Sequence, residues 1–199
     1  MSVLPAIGGV VLAAGASRRL GRPKQLADFR GEPLVRSSVR ALASSRCTAV
    51  AIVVGAHQEA TTAAVADLGP IVLPNPDWEE GIASSIRLAT HWADSSEYAG
   101  LVIAVCDQPF LTTEHVDALV AAFRADGRPV GSGYSGVVGV PAVFGRSEFP
   151  DLARLRGDRG AGALLRTSAT VVEWPPGALD IDTDDALEAA AQHARGLSR

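Results

Sequence analysis

Leu101-Val102-Ile103-Ala104-Val105-Cys106-Asp107-Gln108-Pro109 runs from unbroken apolar residues straight into a carboxylate. A strand with one wet face alternates apolar and polar residues. This run does not alternate, and neither does Ile52-Val53-Val54. Strands that are apolar on both faces belong to a parallel sheet covered by helices on both sides. Working outward, similar strands are expected at Gly9–Ala13, Val50–Val54, Pro70–Leu73, Pro129–Gly133, Val137–Phe144 and Thr170–Glu173. Helical patterns fall at Pro33–Ser45, Gln58–Leu68, Ile82–Trp92, Thr112–Arg124, Asp151–Leu155, Ala161–Thr167 and Asp184–Gly196. Strand and helix alternate through the first two-thirds of the chain. That order predicts an α/β fold with a doubly wound, mostly parallel, Rossmann-like sheet and helices on both faces. The whole chain, residues 1–199, reads as a single domain. Ligands of such folds bind beyond the carboxyl ends of the strands, which is where Asp107 stands. Only 131–139 breaks the rhythm, as a hairpin or insertion would.

Composition narrows the function. The net charge is −4, so the electrostatic footprint of a nucleic-acid binder is missing. Hydrophobic residues make up 47% of the chain, yet no run reaches the roughly 18 apolar residues of a membrane span. Met1 to Gly9 has no basic n-region and leads into the first strand, so it is not read as a signal peptide. The two cysteines, Cys47 and Cys106, lack metal-ligand spacing, and reduced thiols in a cytoplasmic protein are expected. His57, His91, His115 and His193 have no ligand or nucleophile spacing and read as surface or helix-end residues. Trp78, Trp92 and Trp174 are too scattered for a stacking platform.

Of eighteen basic residues, Lys24 alone is a lysine. It closes the loop Leu12-Ala13-Ala14-Gly15-Ala16-Ser17-Arg18-Arg19-Leu20-Gly21-Arg22-Pro23-Lys24. Small residues after a strand let backbone N–H groups approach phosphate oxygens. Arg19 and Lys24 would add charge to that cradle, and an ammonium is a more compact charge than a guanidinium. The spacing is neither that of a P-loop nor G-x-G-x-x-G. Gly131, Gly133 and Gly136 do have the latter spacing, but a strand follows them, where a dinucleotide fingerprint needs a helix. Asp107 could hold Mg²⁺ beside a phosphate, since that ion takes one or two carboxylates plus phosphate oxygens and water. In Asp180-Ile181-Asp182-Thr183-Asp184-Asp185, the last three residues suit a helix start. Asp180 and Asp182 would share one side of an extended segment, and either could be a second ligand. Asn75-Pro76-Asp77-Trp78-Glu79-Glu80-Gly81-Ile82-Ala83-Ser84-Ser85-Ile86 is a turn entering a helix with room for a flat group. Gly157-Asp158-Arg159-Gly160-Ala161 is a second polar loop before a helix, suited to an anion site, a mobile lid or an ordinary connection.

Together these segments resemble the MobA-like nucleotidyltransferases, and within them the molybdenum cofactor cytidylyltransferases. The resemblance runs from about Val10 to about Leu187. The family's L-A-A-G-x-S-x-R-M-G-x-x-K is similar to Leu12–Lys24, with Leu20 in place of Met. Its N-P-x-x-x-x-G-x-x-S-S resembles Asn75–Ser85. Cys106-Asp107-Gln108-Pro109, Gly157-Asp158-Arg159-Gly160-Ala161 and Asp180-Ile181-Asp182-Thr183 resemble its metal-binding strand end and two late motifs. What the resemblance implies is a nucleotide site of Leu12, Ala13, Ala14, Gly15, Ser17, Arg19, Lys24, Ser84 and Ser85. Lys24, Arg19 and Asp107 would be catalytic, and Asp107 and Asp182 would hold Mg²⁺. The implied reaction moves CMP from CTP to molybdopterin and releases pyrophosphate. Ala13-Ala14-Gly15 resembles cytidylyl members, whereas guanylyl members tend to carry Ala-Gly-Gly. Two places depart from the pattern. Val140 stands where His or Asn often occurs between Gly139 and Pro141, and Gly162 stands where a basic residue often follows the late Gly-Ala. Alternatives are GTP as donor, another phosphorylated acceptor, or a non-catalytic binder that delivers cofactor to a partner such as a molybdoenzyme or its chaperone. An oxidoreductase is disfavoured by the misplaced glycine motif.

Overall fold

All seven residues of the first strand are buried, so this strand lies inside a sheet covered on both faces. The computed structural model describes residues 4–17, 20–166 and 169–197. In chain order the elements are β1 (Ile7–Ala13), β2 (Asp28–Phe29), β3 (Glu32–Pro33), α1 (Leu34–Ala43), β4 (Ala49–Val54), α2 (Gln58–Val65), β5 (Ile71–Pro74) and α3 (Ile82–Ser95). There follow β6 (Gly100–Val105), α4 (Thr113–Asp126), β7 (Val130–Tyr134), β8 (Val137–Gly145), α5 (Phe149–Leu152), β9 (Thr170–Glu173) and α6 (Asp184–Leu197). One seven-stranded sheet has the order β5-β4-β1-β6-β8-β7-β9. β5, β4, β1 and β6 are parallel, β8 is antiparallel to β6 and β7, and β9 runs parallel to β7. This is a mostly parallel α/β sheet in a single domain.

Successive strand residues point to opposite faces. Val11, Ala13, Ile52, Val54, Val102 and Ala104 pack under α1 and α4, while Val10, Leu12, Ala51, Val53, Leu101 and Ile103 pack under α3 and α5. Each fully buried Val, Leu or Ile contributes about 1.5–3 kcal/mol.

Several boundaries shift from expectation, and three of the differences change the place or kind of an element. Pro33 ends the short β2–β3 ribbon and only caps α1, whose first residue is Leu34. The helix expected at Asp151–Leu155 lies earlier, at Phe149–Leu152. The one expected at Ala161–Thr167 is a 3₁₀ turn over Ala161–Leu165, and Thr167 lies outside the described residues.

Gly131 and Gly133 lie in β7, Gly136 is in the turn, and β8 follows. No helix opens there, so the dinucleotide fingerprint is absent. Packing explains the glycines. A Cβ on Gly131 would collide with Val138, and one on Gly133 would come within 2.7 Å of Val171.

His115 is a helix-end residue, as expected, but it is not a surface one. It sits in the first turn of α4 but is only 8% exposed. Its ring stacks on Trp174 at 4.7 Å, and its Nε2 lies 2.7 Å from the Ser132 hydroxyl. Ser132 Oγ donates to Pro141 O at 2.6 Å, so it accepts from a neutral His115. Burial pushes the His115 pKa down from 6.5 to about 4. The unfolded chain therefore takes up a proton that the fold refuses as pH falls below 6.5. Acidification from pH 7 to pH 4 is expected to cost the wild type on the order of 2 kcal/mol more than His115→Gln. Urea unfolding at both pH values measures this, and equal losses would contradict it.

Candidate active site

The loop after β1 is braced from within. Gln25, 1% exposed, donates from Nε2 to Gly15 O at 3.2 Å and to Ala13 O at 3.4 Å. Its Oε1 accepts from Ser17 Oγ at 3.0 Å, and that oxygen in turn accepts the backbone N–H of Lys24 at 2.9 Å. The Ser17 hydroxyl is thus engaged in holding the loop's shape, at a residue with φ of 54°. Sequence reasoning missed Gln25; its burial beside a loop that lacks regular hydrogen bonding is a tertiary fact. Arg19 lies outside the described residues.

This brace sends the Lys24 side chain to the carboxyl end of β6. Lys24 Nζ donates to Asp107 Oδ2 at 2.5 Å and to Asp182 Oδ1 at 2.9 Å. Asp182 is brought there by the backbone: Ile181, fully buried, donates its N–H to Asp107 O at 2.9 Å. Asp180 is exposed, and Asp182 is the carboxylate that meets Lys24. Burial pulls the Lys24 pKa down, but the charge of Asp107 and the hydrogen bonds of both carboxylates outweigh it, and the net shift is upward. The ammonium stays charged through the neutral range. Burial pushes the adjacent Cys106 thiol up to about 12, so it is no nucleophile at neutral pH.

Beside this cluster opens a cavity of about 380 Å³. Leu12 to Ala16 line one side, and Val105, Cys106 and Asp107 close its end. Trp78, Glu79, Gly81, Ile82 and Ser85 face them, with Asp158 at the lip. Ala14 lines the cavity and is 5% exposed, packed with Leu12 and Ile86 in the core on the α3 side. Ser85 reaches the cavity, whereas the Ser84 hydroxyl donates to Gly81 O at 2.9 Å. Both hydroxyls accept from Asn75 Nδ2, at 2.9 and 3.0 Å. Trp78, Glu79 and Asp158 are lining residues that were not assigned to the site from sequence.

Gly81 makes the corner possible. Its φ is 116°, and a Cβ there would lie 2.5 Å from Gly157 O. The 157–158 loop is tied to α3: Ala83 N donates to Gly157 O at 3.0 Å, and Gly157 N donates to Glu80 Oε1 at 3.3 Å. Glu80 in turn pairs with Arg87, which holds its carboxyl down at about 2.

The donor set suits a hard divalent ion. Asp107 Oδ1 is buried and has no hydrogen-bond partner among the described residues. Among those residues no group of three or more His, Cys, Asp or Glu side chains could enclose a metal by themselves. Two neighbouring carboxylates that need outside oxygens to complete a shell are what Mg²⁺ takes beside phosphates. Glu79, Asp107, Asp158 and Asp182 also make the region acidic against Lys24. A triphosphate entering it requires added positive charge.

The MobA-like NTP transferase domain matches residues 9–172. Nicotine blue oxidoreductase of Paenarthrobacter nicotinovorans is 34% identical, with 85% of this chain and 86% of the relative covered. Purine catabolism protein PucB of Bacillus subtilis is 32% identical, with 82% of each covered. Molybdenum cofactor guanylyltransferase of Rhodobacter capsulatus is 34% identical, with 63% of each covered. Among solved structures, a homologue of Rv0371c from Mycobacterium sp. strain JC1 superposes with a TM-score of 0.81 at 28% identity, covering 96% of this chain and 98% of that one. A manganese complex of Rv0371c from Mycobacterium tuberculosis superposes with a TM-score of 0.76 at 27% identity, covering 94% and 98%.

Proposed function

The chain belongs to the MobA-like NTP transferase family, a nucleotidyltransferase family, and on that footing we propose that it transfers CMP from CTP to molybdopterin with Mg²⁺, in the cytoplasm. The observation that carries the reading is the Lys24 ammonium held between Asp107 and Asp182, beside a cavity walled by a loop of small residues. A methyl at Ala14, a residue that lines the cavity, would shrink the space beside the base, and this supports a pyrimidine.

In the proposed reaction a terminal phosphate oxygen of molybdopterin attacks the α-phosphorus. The new O–P bond forms as the bond to the bridging oxygen breaks, and pyrophosphate leaves with the electron pair. The nucleophile is already ionised near neutral pH, so no general base is required. The chain's task is positioning and charge neutralisation. Backbone N–H groups of the loop after β1 would bind the triphosphate, and Lys24, with Arg19 as the proposed second cation, would balance its charge. Ser85 and Ser84 lie on the side of the base and sugar. Asp107 and Asp182 would hold Mg²⁺, which supplies Lewis-acid polarisation of the phosphates.

The guanylyl reading has support in the Rhodobacter capsulatus relative. Pyrophosphate release should be measured with CTP or GTP against molybdopterin and other phosphorylated acceptors. Release only with CTP and molybdopterin is expected. Release with GTP alone moves the activity to guanylyl transfer. Nucleotide binding without release points to cofactor delivery, and a nicotinamide-dependent absorbance change to redox chemistry; either contradicts transfer.

A further inference from the structure

Lys24 cannot serve two carboxylates and a triphosphate from one position. Its Nζ stands between Asp107 Oδ2 and Asp182 Oδ1, at 2.5 and 2.9 Å. These two carboxylates are the ones suited to a divalent ion. The Asp107 side chain is 18% exposed, and its Oδ1 is buried without a partner among the described residues. The part of that carboxylate open to the cavity is therefore the part the ammonium covers. A cation coming from the cavity meets a positive charge before it meets Asp107. Together the three groups leave a single negative charge, half of what the two carboxylates alone would offer. The ammonium has somewhere else to go, because Lys24 also lines the cavity of about 380 Å³. Its backbone N–H stays fixed on Ser17 Oγ at 2.9 Å, and Gln25 holds the loop beside it. The flexible four-carbon stem can then swing while the backbone keeps its place. A partly buried ammonium gives up two carboxylates only where other anionic oxygens receive it.

We propose that Lys24 and the divalent ion exchange places. Before nucleotide binds, the ammonium keeps free metal off Asp107 and Asp182. A triphosphate then draws the ammonium onto its own oxygens, and the metal takes the carboxylates. The inference rests on the nucleotidyl-transfer reading and adds to it a control over when the metal enters. Metal and triphosphate raise each other's affinity by the same factor, as linkage requires. Without the ammonium, the carboxylates accept metal whether nucleotide is present or not, and most of that coupling disappears.

Lys24→Met keeps an unbranched stem and drops the charge. Mn²⁺ would be titrated by calorimetry, alone and after CTP, into folded wild type, Lys24→Met, and Lys24→Met combined with Asp182→Asn. Mn²⁺ alone is expected to bind Lys24→Met about tenfold or more tightly than wild type, since a unit charge is removed at contact distance. Adding Asp182→Asn should abolish that gain. CTP should tighten Mn²⁺ about tenfold or more in wild type and by a smaller factor in Lys24→Met. Equal affinity of wild type and Lys24→Met for Mn²⁺ alone overturns the proposal. A gain that survives Asp182→Asn also overturns it, because the metal then sits elsewhere. A gain in Lys24→Met that Asp182→Asn abolishes, with CTP changing Mn²⁺ affinity in no sample, would support the ammonium as the guard of the carboxylates and remove the transfer reading alone.

Discussion

Asp107→Ala is expected to lower kcat by about 100- to 1,000-fold, the size of effect seen when one preorganised electrostatic group is removed from a reacting centre. The carboxylate sits at the end of β6, with Oδ2 on Lys24 and Oδ1 buried without a partner among the described residues. A buried carboxylate oxygen left unpaired is costly in a structure that holds nothing else. A divalent ion would satisfy it. Asp107→Asn keeps the volume but loses the charge, so it should be nearly as slow. Neither variant should unfold, because Ile181 is held by the Asp107 backbone oxygen and not by the side chain. Steady-state pyrophosphate release paired with thermal melts tests this. A near-wild-type rate in a folded Asp107→Ala sample would remove Asp107 from the reaction.

Lys24→Ala should be comparably slow and should also weaken nucleotide binding by about 10- to 100-fold, the size expected for lost charge-assisted hydrogen bonds. The loop should keep its shape. Ser17 grips the Lys24 backbone N–H, and Gln25 grips Ala13 and Gly15, so the brace does not use the ammonium. Removing that charge takes the ammonium from between the two carboxylates, which favours a divalent ion there. Lys24→Arg should not restore turnover, since a planar guanidinium cannot take the place of a compact ammonium between two carboxylates. Full activity in the arginine variant would show that only the sign of the charge matters.

The parallel half of the sheet was legible because strands buried on both faces must be apolar throughout, as Val102 to Ala104 are. Lys24 and Asp107 stood out as a lone residue type and as a carboxylate ending such a strand. The remainder depended on contacts distant in sequence. Periodicity placed Asp180 and Asp182 on one side, and only the Ile181 bond to Asp107 separates them. The β2–β3 ribbon has two residues per strand, too few to alternate. Trp78 looked like one of three scattered tryptophans until Gly55 let it approach the loop, where a Cβ would lie 2.7 Å from both Ala14 O and Trp78. The register shift between β7 and β8 at Gly131 and Ser132 is a bulge, and a bulge leaves no pattern in either strand.

Calorimetric binding of CTP, GTP, ATP and UTP to the wild-type protein, each with and without Mg²⁺, bears on all of this most directly and requires no pterin. Binding of CTP that depends on Mg²⁺ and exceeds that of the other three is the predicted result. A folded sample that binds no triphosphate under either condition would contradict it.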